Sequence, residues 1–172
     1  MHRALCLIVF VLLSSTFGQA AAQEKTQLAP SKGVDESITV TIGGKVAGKK
    51  VQASGQGTCS HAADASIHGM SASLWMVQYG GGGDGSLKQL SLTLWRPKDG
   101  GPDQLSFAVE TKLGAHRIET GKAGDGKGEG SVTILPSGPG GRLEVSGKEA
   151  GGKSIQLTID CTAFSGVEAE GG

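Results

Sequence analysis

Residues 57–76, GTCSHAADASIHGMSASLWM, place one cysteine, two histidines, two methionines and a tryptophan within twenty positions. Thioether and imidazole are soft or borderline ligands, the donors a copper site outside the cytoplasm uses. On a strand His68 and Met70 share a face about 6.6 Å apart, and Met76 has the same parity. His61 is seven residues from His68, about 23 Å if the chain is extended, so only a turn at Ala62–Asp64 brings the two imidazoles together. His61, His68, Met70 and Met76 are thus a candidate copper set, without any established ligand spacing. The plainer reading makes Met70 and Met76 ordinary core fillers.

The cysteine of this stretch has a different prospect, set by the start of the chain. Met1–Arg3 is basic, Ala4–Leu13 is uncharged and apolar, and Ala20–Ala22 supplies small residues before Gln23. That order reads as a secretory leader over residues 1–22, cleaved near Ala22, for a protein exported to the periplasm or secreted. Its apolar run is far short of the ~20 residues of a membrane-spanning helix, so no transmembrane helix is expected. Cys6 would leave with the leader. Cys59 and Cys161 then remain as a pair in an oxidising compartment, where a disulfide is the expected state and two buried thiols the alternative.

Other chemistries find little support. The chain carries 16 Lys+Arg against 16 Asp+Glu with no basic run, so it offers no footprint for nucleic acid. No G-x-S-x-G or H-E-x-x-H occurs, and the chain is expected not to be an enzyme. His116, in GAHRIET, is a lone base around which a hydrolase would have to be built; a structural histidine is the simpler reading. Asp84, Asp99, Asp103 and Asp125 each adjoin glycine or proline, where aspartate favours turns. GGGGDG and GKAGDGKGEG are too loose for a calcium or phosphate loop.

The elements that position these residues are strands. Thirty glycines punctuate short β-branched and leucine-containing runs, and no helical period stands out. Strands are expected at Ser37–Ile42 and Lys45–Ser54, joined by a Gly43-Gly44 turn, then at Gln56–Ser60, Ser71–Tyr79 and Leu87–Arg96. PKDGGP (97–102) reads as a turn. Further strands follow at Leu105–Val109, Ala115–Thr120, Ser131–Leu135, Gly141–Gly147 and Ser154–Cys161. About nine to ten short strands predict an all-β fold, an antiparallel two-layer sandwich or flattened barrel with one disulfide. Its domain spans 37–164, after a flexible lead-in (23–36) and before a disordered tail (165–172).

Alternation also sorts the aromatics. With Leu90, Leu92 and Leu94 facing the core, Trp95 faces the other way, while Trp75 and Tyr79 share a parity in their own strand. Trp75, Tyr79 and Trp95 are therefore a candidate aromatic surface for a sugar or a protein. The bland alternative is a tryptophan covered by a loop.

GQGTC, the isoleucine-glycine step in SIHG, GKGEGSVTI, and RLEVSGKEAGG leading into IQLTIDC resemble the layout of the mycobacterial lipoprotein-antigen family. The resemblance covers roughly residues 56–161 and carries over Cys59 and Cys161. It implies a small disulfide-bonded β-sandwich at the cell envelope without a catalytic site. The lipid-anchor cysteine of that family has no counterpart at Ala20–Gln23. The expectation is an exported, non-enzymatic binding or envelope-associated module. Its partner would be an envelope component, a protein or a small ligand, with a periplasmic copper-binding protein as the alternative.

Overall fold

The computed structural model describes residues 37–67, 69–81, 86–121 and 127–167. The expected leader and lead-in, His68, Asp84, Asp125 and residues 168–172 lie outside the described residues. The described chain forms β1 (Thr39–Val46), β2 (Lys49–Ile67), β3 (Met70–Gly80), β4 (Leu87–Pro97) and β5 (Gln104–Thr111). It continues as β6 (Gly114–Glu119), β7 (Gly128–Ser137), β8 (Gly140–Glu149), β9 (Ser154–Cys161) and the two-residue β10 (Ser165–Gly166). The expected all-β class holds. Nine antiparallel strands run in the order β6-β5-β4-β3-β2-β1-β9-β8-β7, and β10 joins β2 off this path.

This sheet curls until its two ends meet. Between β6 and β7 the backbone contributes a single bridge among the described residues, Glu119 to Lys127. Side chains hold the rest of the seam. His116 Nδ1 lies 3.0 Å from Glu149 Oε2, and Arg96 Nη2 donates to the Val132 carbonyl at 3.2 Å. Ile118 packs into the space left by Gly130 and Gly147, where any Cβ would crowd it. Period-2 alternation then fills the interior with Val40, Ile42, Val77, Leu90, Leu92, Leu94, Phe107, Leu143, Ile155 and Ile159.

Three expectations are corrected. Gly43 and Gly44 do not turn the chain. They lie inside β1, opposite Gln52 and Val51 on one side and Thr158 and Leu157 on the other. Gly44 has φ +145°, and a Cβ there would collide with the Gln156 carbonyl, so glycine serves close strand approach rather than reversal. The turn falls instead at Ala47-Gly48, with φ of 49° and 76°, between the paired Val46 and Lys49. Next, the expected strand Lys45–Ser54 is split by that turn: Lys45 and Val46 end β1, while Lys49–Ser54 merges with the expected strand Gln56–Ser60 into one 19-residue β2. The supposed turn at Ala62–Asp64 is a bulge within β2, between the registered pairs at Ala62 and Ala65. Finally, Ser165 and Gly166, assigned to a disordered tail, pair in parallel with Ser60 and His61.

The disulfide sits where β1 stops. β1 pairs with β2 only as far as Thr39 opposite Gln56; just past that point Cys59 is bridged to Cys161, which β9 sets opposite Val40, with Cα atoms 6.2 Å apart. Both cysteines are buried. The bridge spans 102 positions, and a loop of that size constrains the unfolded chain by up to about 4.7 kcal/mol in the chain-entropy model.

Two predictions follow from this geometry. Replacing both Cys59 and Cys161 by alanine should lower unfolding free energy by roughly 2–4 kcal/mol in urea titration; an unchanged midpoint would show that the bridge is no constraint. Ala47→Gly should stabilise the hairpin by about 1 kcal/mol, because a left-handed residue with a Cβ is strained. A lower thermal midpoint for that variant would refute the turn assignment.

Candidate functional site

Register decides which expected residues come together. Between β3 and β4, Trp75 opposes Leu94 and Leu74 opposes Trp95. Trp75 and Tyr79 therefore lie on the core side with Leu90, Leu92 and Leu94, while Trp95 points outward with Leu74 and Met76. The three aromatics do not form one surface. Tyr79 is buried in the core, and a side chain at Gly55 would meet its ring.

Trp75 is held at the rim of the core in a layered stack. The His61 ring, opposite it on β2, lies 4.5 Å away at an interplanar angle of 13°. From β4, on the other side of β3, the Arg96 guanidinium carbon lies 5.5 Å from the indole centroid. Asp103 fixes Arg96: Nε donates to both carboxylate oxygens, and Nη2 to Oδ2 at 2.8 Å. That contact holds the guanidinium above its ordinary pKa, so Arg96 stays charged. With these side chains about one-third to two-fifths exposed, the ion pair contributes only ~0–1 kcal/mol, so its main consequence is orientation. Phe164 meets the His61 ring edge-on at 6.4 Å. Both faces of Trp75 are thus covered, and a sugar ring has no free indole face to stack on. Asp103 was expected as a turn aspartate; its pairing with Arg96 needed the tertiary fold to be visible. Asp99 is such a turn residue, accepting from the Gly101 amide at 2.9 Å.

The copper set does not assemble among its described members. His61 faces inward and Met76, one step past Trp75, faces outward, on opposite sides of the same sheet. Met70 starts β3 opposite Ile67, five positions from Trp75 or roughly 17 Å along the strand. His68 lies outside the described residues. Among the described residues no group of three or more His, Cys, Asp or Glu side chains is placed to hold a metal ion. His116, the lone base candidate, is 7% exposed and engaged by Glu149, which also lies 3.7 Å from Lys153 Nζ.

The outer face holds the second apolar cluster. Ala62, Ala65 and Leu74 are buried to 5%, 8% and 4% on the solvent side of β2 and β3. Met76, Trp95 and Val167 pack half-buried around them. Sequence reasoning found Trp95 by parity, but missed Val167 because a short, acidic, glycine-rich end carries no strand signal. Two shallow concavities, of about 340 and 390 Å³, lie elsewhere, the first over β7, β8 and β9 beside Glu129 and Lys148, the second over β4, β5 and β6 beside Ala108 and Arg117.

Compared with protein-family models, curated proteins and solved structures, the chain has no match in any of the three.

Burial pushes the His61 imidazole below its ordinary pKa of 6.5. The unfolded chain then binds more protons than the folded one just below that pH. The stability contributed by neutral His61 is complete above pH 6.5 and is lost as pH falls through the depressed folded-state pKa. His61→Gln should flatten this acid limb in thermal melts between pH 7.5 and 4.5; an unchanged slope would show that the imidazole is not desolvated in the stack.

Proposed function

We propose that this chain is an exported, non-enzymatic binding module that engages a protein partner through the outer cluster around Trp95. The observation that supports it best is the location of that cluster. Leu74, Ala62 and Ala65 exclude water on the outward side of a sheet whose interior is already filled by its own side chains. Over this buried cluster lie the partly exposed Met76, Trp95 and Val167, and apolar side chains grouped on an outer sheet face support a reading as an interaction surface. Trp is the residue type most enriched at binding hot spots.

Export rests on the leader-like residues 1–22, and the buried disulfide supports an oxidising, non-cytoplasmic location. Among the described residues no helix is long and apolar enough to cross a membrane. The residue layout over 56–161 that resembles envelope lipoprotein antigens is in keeping with this reading, in which the protein partner is an envelope component.

The test is direct. The chain from Gln23 should bind a purified extracytoplasmic protein partner, and Trp95→Ala should weaken that binding tenfold or more, about 1.4 kcal/mol. The same variant should retain a cooperative thermal transition. Binding indifferent to Trp95, or a hydrolytic activity that tracks the purified chain, would overturn the reading.

A further inference from the structure

β2 outruns its neighbour. β1 pairs with it over Lys49–Gln56 and β3 over Gly57–Ile67, so from Gly57 onward the side facing β1 is vacated. The Gly57 amide is taken by the Ile38 carbonyl, and β10 then enters the gap. Its pairing is the one parallel contact in the described sheet. Side chains of this short strap alternate across the edge. Phe164 points inward to the His61 ring. Ser165 points outward, its hydroxyl 3.0 Å from that of Ser60 and donating to the Cys59 carbonyl at 3.2 Å. Gly166 sits opposite His61, and Val167 settles outward on the Ala62, Ala65 and Leu74 cluster, against which Met76 and Trp95 also pack.

We propose that this edge of β2 is a strand-addition site for an extended segment of a protein partner, and that Phe164–Val167 is its resident occupant. The segment would carry an aromatic residue, a hydroxyl residue next, and an aliphatic residue two positions further on. The proposal rests on the reading of the chain as a binding module and names the partner's chemistry. In strand addition, main-chain hydrogen bonds supply affinity and alternating side chains supply specificity. The resident strap shows which side chains the edge accepts on each face.

The strap is also the least anchored strand. β10 has two residues, both exposed, whereas every other strand has at least six. Past β10, Ala62–Ile67 has β3 as its only strand neighbour among the described residues. The bulge at Ala63–Asp64 and the Asp64–Lys98 ion pair guard this stretch, as bulges and charges on sheet edges do, against indiscriminate pairing.

The probe is a labelled peptide of the sequence of residues 162–172, TAFSGVEAEGG, added to the full chain. Val167→Asp should evict the strap and bind the peptide at least tenfold tighter than the wild type. Adding Trp95→Ala to that variant should cost tenfold or more, and a peptide with its Phe and Val replaced by Ser should not bind. Equal affinity for wild type and a cooperatively folding Val167→Asp chain overturns the proposal. If Val167→Asp does not fold, Ser165→Ala removes both hydroxyl contacts without adding charge. It should then tighten peptide binding severalfold, and no change is equally fatal. If the peptide is ignored but a partner still binds through Trp95, strand addition falls and the module reading stands. If the peptide binds as expected but no partner depends on Trp95, the module reading falls instead.

Discussion

A mismatch in strand length governs this structure. β1 has eight residues and β2 has nineteen, and all three strands around the gap must satisfy their backbone groups. Where β1 ends, Thr39 exchanges contacts with Thr162: its amide meets the Thr162 hydroxyl, and its carbonyl takes the Thr162 amide. The two cysteines then tie β2 directly to β9 across the space a longer β1 would fill. A buried strand edge would otherwise leave unpaired donors and acceptors, each costing on the order of 1–3 kcal/mol. The strap after β9 is therefore part of the same solution, since it leaves the disulfide already aimed at the vacant edge of β2.

The opposite seam is closed by different means. Among the described residues the β6–β7 seam has one backbone bridge rather than a ladder. Shape does the work instead. Gly130 and Gly147 let β7 and β8 approach Ile118 closely, and Arg96 reaches across to the Val132 carbonyl on β7. His116 and Glu149 hold the β6–β8 approach with a nearly buried contact. His116, the lone base candidate, thus takes part in closing the sheet.

Much of this was legible in the sequence, and the rest fails for identifiable reasons. Alternation alone places Leu90, Leu92 and Leu94 inward and Trp95 outward. The cysteine pair follows from compartment and count. Gly43-Gly44 misleads because paired glycines are a hairpin signal, yet Val40, Ile42, Gly44 and Val46 keep one unbroken period of two. That continuity was the better guide, and the true turn at Ala47-Gly48 has a weaker composition. Ala62–Asp64 misleads for the opposite reason: a bulge has no residue signature of its own and is set by pairing with β3. Arg96 and Asp103 meet across a turn, and His61 and Trp75 across a strand pair, so neither contact is local.

Register also explains why the two tryptophans have different fates. Leu74 opposite Trp95 and Trp75 opposite Leu94 form adjacent rungs of one ladder, and a slip of one residue would exchange their faces. The buried leucines of β4 fix that register, because every other residue must enter the core. Trp75 is then obliged to pack at the rim, where His61 and Arg96 cover both of its faces. Trp95 is left outside with Leu74, and a sheet face otherwise lined by Ser91, Thr93 and Gln78 acquires an apolar spot. Val167 completes the cover over Leu74 without enclosing the indole. The core's need for a leucine ladder on β4 is thus what places an indole on the outside, near the edge of β2 that β1 leaves unpaired.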